Sequence, residues 1–361
     1  MKLKTFIFWR IEMQSEKKHQ MWLDYSRLIA IMLVIINHSN EQININPLGK
    51  SSILLEFMGR MGVPIFLILT GYLMINREYS KQNIIHKFVK NNLLNICYSA
   101  VFWTVVFSFY DFFFLQANTD DLIKDLIFQQ RPLPQMWYIQ ILPVIYAFIP
   151  LLSLVKNKLP SYLRGIFIVG TIMLSVGGYI STFTDNKYIP FQWNFNGSWS
   201  LVFVMISLMF FGSYLDKFAN KKIYTTFIVG NSMLILFLSV PLFMHLPLQN
   251  IFANFWYDQP LIFISGATIS VFLYVVLNSV TIQTRNNLIF QKLITLLAKL
   301  SYAVYVLHYV ILLTVIKLIN PSHGIKNTLL LAAIVIVLSF AVAYILSKIP
   351  KLPKFIFLIK K

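Results

Sequence analysis

Acidic side chains are scarce in this chain. Its 361 residues hold 13 Asp and Glu against 31 Lys and Arg, and charged residues make up only 12%. So little charge, with 57% hydrophobic residues, excludes an ordinary soluble domain, and the length excludes a simple membrane anchor. The single cysteine, Cys97, excludes an intrachain disulfide and lies in an apolar stretch, where it reads as a small buried hydrophobe. The six histidines are scattered, with no carboxylate or cysteine at ligand spacing, so no metal site is expected. A phosphate-binding glycine loop and a lipase-type nucleophile elbow are both lacking. The N-terminal MKLKTFIFWRIEMQSEKKHQ has only a short apolar run and no small-residue cleavage site, so it does not read as a cleaved signal peptide. It is expected to be a cytosolic basic segment over residues 1–21.

What the chain has in abundance is apolar runs long enough to cross about 30 Å of hydrocarbon. They fall near 22–39, 52–75, 91–115, 136–155, 164–183, 199–215, 223–245, 258–281, 295–319 and 328–348. Pro143 and Pro150 interrupt the fourth of these. Lys and Arg collect in alternate connections: Lys2, Lys4, Arg10, Lys17 and Lys18 before the first run; Arg77, Lys81, Lys87 and Lys90 before the third; and a basic tail over 349–361. The intervening connections hold only Lys50, Lys124, Arg131, Lys187, Lys317 and Lys326. That alternation follows the positive-inside rule and places both termini in the cytosol. It also explains the basic excess without nucleic acid. The expectation is a single all-α domain over 1–361, a polytopic helix bundle of about ten transmembrane helices in the plasma membrane. With short loops and no appended domain, function must reside in the bundle and its rims.

The first run, WLDYSRLIAIMLVIINHS, carries Asp24 and Arg27 at one end and His38 at the other. Ionisable groups inside a span are costly and mark functional sites by default. At 100° per residue, Arg27 and His38 fall within about 20° of each other on one face, about 16 Å apart. Asp24 lies one turn before Arg27, so an ion pair between them is the plain structural reading. In the second run Glu56 and Arg60 are spaced to pair, or to look toward His38. Asp111, His245 and Asp258 are also expected near the outer side, and Lys87-x-x-Lys90 on the inner rim. His308 follows Tyr305 by one turn and reads either as a packing histidine or as part of a site. Trp137 and Tyr138 open a span where aromatic belts are expected in any case.

Several of these stretches together resemble the acyltransferase-3 family of integral membrane O-acyltransferases. Asp24-Tyr-Ser-Arg27 with His38 is similar to that family's Arg-x10-His first helix. Arg60-Met-Gly-Val-Pro-Ile-Phe-Leu-Ile-Leu-Thr-Gly71-Tyr-Leu resembles its VPLFF-x-x-SGYL segment, with Thr70 in place of serine. Met136-Trp137-Tyr138 looks like its WFL or WYL opening of a span. Ser301-Tyr302-Ala-Val-Tyr305-Val-Leu-His308 is similar to its late SY-x-IY-x-x-H motif. Ile349-Pro350-Lys-Leu-Pro resembles its basic ending, whereas Lys87 and Lys90 stand where the family often has Arg-x-x-Arg.

The resemblance implies transfer of an acyl group, commonly acetyl, from cytosolic acyl-CoA to a hydroxyl of a cell-surface or lipid-linked glycan. Acyl-CoA is then a co-substrate, and no bound cofactor is implied. His38, with Arg27 and Asp24, carries over as the catalytic group. Lys87, Lys90 and Arg27 carry over to acyl-CoA, and lysine attracts phosphate without arginine's bidentate fork. Arg60, Glu56, His308, Tyr305 and Trp137 are the acceptor-side or supporting residues. An imidazole can take the proton of the attacking hydroxyl or carry the acyl group itself, and the sequence leaves both open. A polytopic exporter of a glycan or lipid intermediate is the rival, although no inverted repeat or pair of broken helices marks it. A sensor or assembly subunit with the fold but no chemistry is the second. The acceptor's identity and the oligomeric state are not encoded legibly.

Overall fold

Backbone N–H and C=O groups find no partners in lipid, so apolar runs of this length fold as helices that satisfy themselves. The computed structural model describes residues 20–43, 50–181, 199–243, 260–283, 288–349 and 356–358, and there all regular structure is helical. His245, Asp258, the 350–353 motif and nearly all of the expected N-terminal segment lie outside these residues. The helices are α1 (Met21–Ile43), α2 (Lys50–Arg60), α3 (Gly62–Met74), α4 (Gln82–Phe88), α5 (Leu94–Phe114), α6 (Thr119–Leu126) and α7 (Met136–Lys158). They continue with α8 (Ser161–Ser181), α9 (Trp199–Gly212), α10 (Lys221–Phe243), α11 (Pro260–Gln283), α12 (Leu288–Ile319) and α13 (Ile325–Ser347). Each of the ten expected apolar stretches contains helix within its described residues. Among the described residues, six helical segments are long and apolar enough to cross a membrane: 52–74, 82–114, 136–158, 261–279, 288–319 and 325–347.

Three local departures from the expected boundaries matter. The second stretch is one span made of two helices, because the chain turns at Met61 between α2 and α3. Pro64 then falls in the first turn of α3, where its missing N–H costs nothing. The third stretch begins early: α4 runs into α5 through a π turn at Val89–Leu93, making one long helix from Gln82. Finally, α7 continues unbroken through Pro143 and Pro150. Prolines inside a membrane helix are tolerated where neighbouring groups satisfy the freed carbonyls.

The bundle is organised around α1, which packs against α2, α3, α11, α12 and α13. Its buried set runs nearly the full length, from Trp22 through Ile31 and Ile35 to His38 and Ile43. The seam with α2 and α3 is unusually close. A Cβ at Gly59 would meet Asn37 Cβ at 2.6 Å, and one at Gly62 would meet the Ala30 carbonyl oxygen at 2.5 Å. Only hydrogen fits at these two positions, and that fit draws Glu56 and Arg60 onto the polar end of α1. Gly71 plays the same part between α3 and α9, where any side chain would strike the Met209 backbone. In contrast, α13 sits at the periphery with most of its surface outward, as a lipid-facing helix does.

Candidate active site

At its Ile43 end α1 extends past the expected boundary at 39, and this extra turn completes a polar cluster. His38 is 7% exposed, and its Nδ1 lies 2.8 Å from Glu41 Oε2 one turn onward. A carboxylate only accepts, so the Nδ1 nitrogen carries the proton and Nε2 presents its lone pair. Glu41 is held in turn. Its Oε1 accepts from Asn37 Nδ2 at 2.8 Å and from Arg60 Nη2 at 3.2 Å. Arg60 also donates Nη2 and Nε to Glu56 Oε1, at 2.8 and 3.2 Å. One guanidinium thus bridges carboxylates from α1 and α2, and both Arg60 and Glu56 are buried. Arg131, in the connection between α6 and α7, lies within electrostatic range of Glu41 and of Tyr305. Two guanidiniums thus stand against two carboxylates around His38.

The opposite wall comes from α12. The His308 ring centroid lies 5.3 Å from that of His38, with a 31° tilt. Tyr309 meets His38 edge-on at 5.3 Å, and its hydroxyl accepts from Gln42 Nε2 at 2.7 Å. His308 is fully buried, and its Nδ1 is 2.6 Å from the Tyr305 carbonyl oxygen. Tyr305 donates its hydroxyl to the Gln135 carbonyl oxygen at 3.1 Å and packs on the Tyr138 ring at 5.3 Å. Trp137 is buried beside Tyr138, 5.8 Å between centroids. Five expected residues (His38, Glu56, Arg60, Tyr305 and His308) therefore converge on one end of α1, with Trp137 one layer behind.

Arg27 lies about 16 Å away along the same helix, and Asp24 about 21 Å away. Arg27 Nη1 reaches Asp24 Oδ1 at 3.3 Å, with the arginine side chain 32% exposed and the aspartate buried. Tyr146 of α7 sits within electrostatic range of both Arg27 and Arg77. This end is looser than the His38 end, and its cation keeps open surface. Lys87 on α4 and Lys90 in the π turn are exposed and join no ion pair among the described residues. No group of histidine, cysteine and carboxylate side chains among the described residues could hold a metal ion.

Sequence reasoning missed Glu41, Asn37, Gln42, Gln135 and Arg131. The first three follow from one signal. His38-x-x-Glu41 is helical spacing, so carrying the helix one turn further would have found Glu41 and Gln42, and Asn37 then follows as the residue one turn before Glu41. Gln135 and Arg131 come from a connection whose approach to α1 and α12 no local spacing reveals.

A family model described as an acyltransferase domain matches residues 21–348, nearly the whole chain. No curated protein and no solved structure matches it. The match spans both ends of α1, the α2–α3 seam and the α12 wall, and the chain is therefore a membrane protein that belongs to the acyltransferase-3 family.

Proposed function

We propose that this protein is a plasma-membrane O-acyltransferase that moves an acyl group, acetyl by family frequency, from cytosolic acyl-CoA to a hydroxyl of a cell-surface or lipid-linked polysaccharide. The observation that carries the reading is the pairing of buried His38 with half-buried Glu41 at 2.8 Å, locked by Arg60 from the neighbouring helix. A carboxylate on Nδ1 fixes the tautomer, orients the ring and stabilises the imidazolium that forms when Nε2 takes a proton, which is the logic of the Ser-His-Asp triad. Here the acceptor's own hydroxyl stands where the triad has its serine. That hydroxyl loses its proton to His38 Nε2 while its oxygen attacks the thioester carbonyl. The carbon–sulfur bond then breaks, and the leaving thiolate takes the proton.

Ten membrane helices with both termini in the cytosol would put Arg27 and Asp24 on the donor side and His38 on the acceptor side. Arg27, partly exposed, would grip the donor's phosphates or pantetheine arm, with Lys87 and Lys90 adding charge at the rim. The test is purified protein with radiolabelled acetyl-CoA. Thioester cleavage or transfer should fall about 10²–10⁴-fold in His38→Ala, the usual worth of general-base assistance. Full activity in a correctly inserted His38→Ala protein sinks the reading. Label retained on the wild-type chain but lost in His38→Ala would convert the base into an acyl carrier.

A further inference from the structure

His38 and His308 sit side by side with the same nitrogen unfilled. Each gives its Nδ1–H to an oxygen, His38 to Glu41 and His308 to the Tyr305 carbonyl. An imidazole that donates at Nδ1 accepts at Nε2. His308 Nε2 is buried with no hydrogen-bond partner among the described residues, and His38 Nε2 makes no hydrogen bond there either. Two rings whose centroids lie 5.3 Å apart thus each keep an open acceptor nitrogen, and leaving a buried lone pair unmatched is unfavourable. A proton shared between the rings would match them, but it would remove the lone pair that the reaction needs. The alternative is a ligand that brings two donors close together.

The surrounding wall narrows the ligand further. Gln135, whose carbonyl receives the Tyr305 hydroxyl, is fully buried, and both ends of its side-chain amide lack partners among the described residues. An open donor and an open acceptor on the residue that anchors Tyr305, one turn from His308, together with two open imidazole acceptors, match a polyhydroxylated ring and do not match an apolar group or a simple ion.

We propose that His38 and His308 bind a vicinal diol of the acceptor: one hydroxyl is acylated at His38, while its ring neighbour donates to His308 Nε2 and stays free. The inference rests on the acyltransferase reading and specifies its substrate class. In the step, the reacting hydroxyl gives its proton to His38 Nε2 and its oxygen bonds to the acyl carbon. The carbon–sulfur bond of the donor thioester breaks, and the thiolate leaves with the proton from His38. His308 exchanges no proton; it fixes which hydroxyl is presented.

The test is the position of the ester. Surface glycans from cells with and without the gene are compared by mass spectrometry and NMR, with His38→Ala cells as the control. Every His38-dependent ester should lie on a secondary hydroxyl next to a free one. His308→Phe should lower ester per unit of membrane-inserted protein about tenfold, the worth of one good hydrogen bond. His308→Gln, which keeps an acceptor oxygen, should recover most of it. Esters on hydroxyls without a free neighbour overturn the proposal, as they would if a water molecule filled the two nitrogens. A His308→Phe protein that esterifies as well as wild type also overturns it. Should neither variant insert, the ester position in wild-type cells decides alone. Finding no His38-dependent ester at all would remove the acyl-transfer reading itself, which is a separate failure.

Discussion

The two ends of α1 carry the same kinds of residue and use them oppositely. Near Met21, Arg27 meets Asp24 at 3.3 Å with a third of its side chain open. Near Ile43, Arg60 touches two carboxylates and His38 touches one of them; the His38 and Arg60 side chains are each 9% exposed, and of this group Glu41 alone, at 32%, keeps open surface. A half-open arginine can release its partner and take a phosphate, because exposed pairs are worth little. A buried, cross-braced histidine cannot wander, and positioning to within an ångström is what proton transfer demands. One helix thus carries a gripping end and a reacting end, and the degree of satisfaction tells them apart.

The contrast predicts a kinetic split, which is the largest expected effect. In steady-state assays with acetyl-CoA, His38→Ala should collapse kcat by about 10²–10⁴-fold with little change in donor KM. Arg27→Ala should instead raise donor KM by roughly tenfold, the loss of one charge-assisted contact, with kcat nearly kept. If both substitutions lower kcat equally, the division between the ends is wrong. Next comes the brace itself. Arg60→Met strands the buried Glu56 carboxylate and removes one partner of the half-buried Glu41, and should cost about 3–5 kcal/mol of stability, read as a lower unfolding temperature in detergent. Adding Glu56→Gln should recover stability and leave activity low, since Glu41 would still lack its guanidinium.

A smaller effect should come from the seam between the helices. Gly59→Ala puts a methyl group where Asn37 already sits and should cost about 1–3 kcal/mol by overpacking. Its activity loss should exceed its stability loss if the α1–α2 distance sets the site. The smallest effect lies outside both ends. Asp125 in α6 is buried, and burial, then the Asp111 carboxylate nearby, pushes its pKa up to about 6. The folded protein therefore holds this proton more tightly than the unfolded chain does, and stability falls as pH rises from about 4 to 6. Asp125→Asn should raise the unfolding temperature by a few degrees at pH 7.5 and leave it nearly unchanged at pH 4.

Much of this was legible in the sequence, because lipid enforces a simple code. Apolar length marked where the long helices lie, and isolated charges within them marked His38, Arg27, Glu56 and Arg60. The meeting of His308 with His38 was open only through the ordered motifs, since residues 270 positions apart share no local spacing. Glu41 was lost for a different reason. A polar turn after an apolar run reads as a loop, whereas hydrogen bonds from Asn37, His38 and Arg60 to its carboxylate fasten that turn to the site. Gln135 and Arg131 required the path of a connection, which composition does not encode.

The π turn at Val89–Leu93 sets an angle. It adds one residue to an otherwise α-helical rod. Ser99 and Trp103 pin α5 by hydrogen bonds to the Ile356 carbonyl oxygen, and Ser99 also bonds to the Tyr302 hydroxyl, so α5 cannot rotate to absorb the extra residue. The difference is taken up by α4, whose facing is turned by about 100° relative to an uninterrupted helix. Deleting Asn91 or Asn92 would restore the straight rod and swing Lys87 to another side of the molecule. The azimuth of the basic rim is thus written in the number of residues between Phe88 and Leu94, independently of which residues they are.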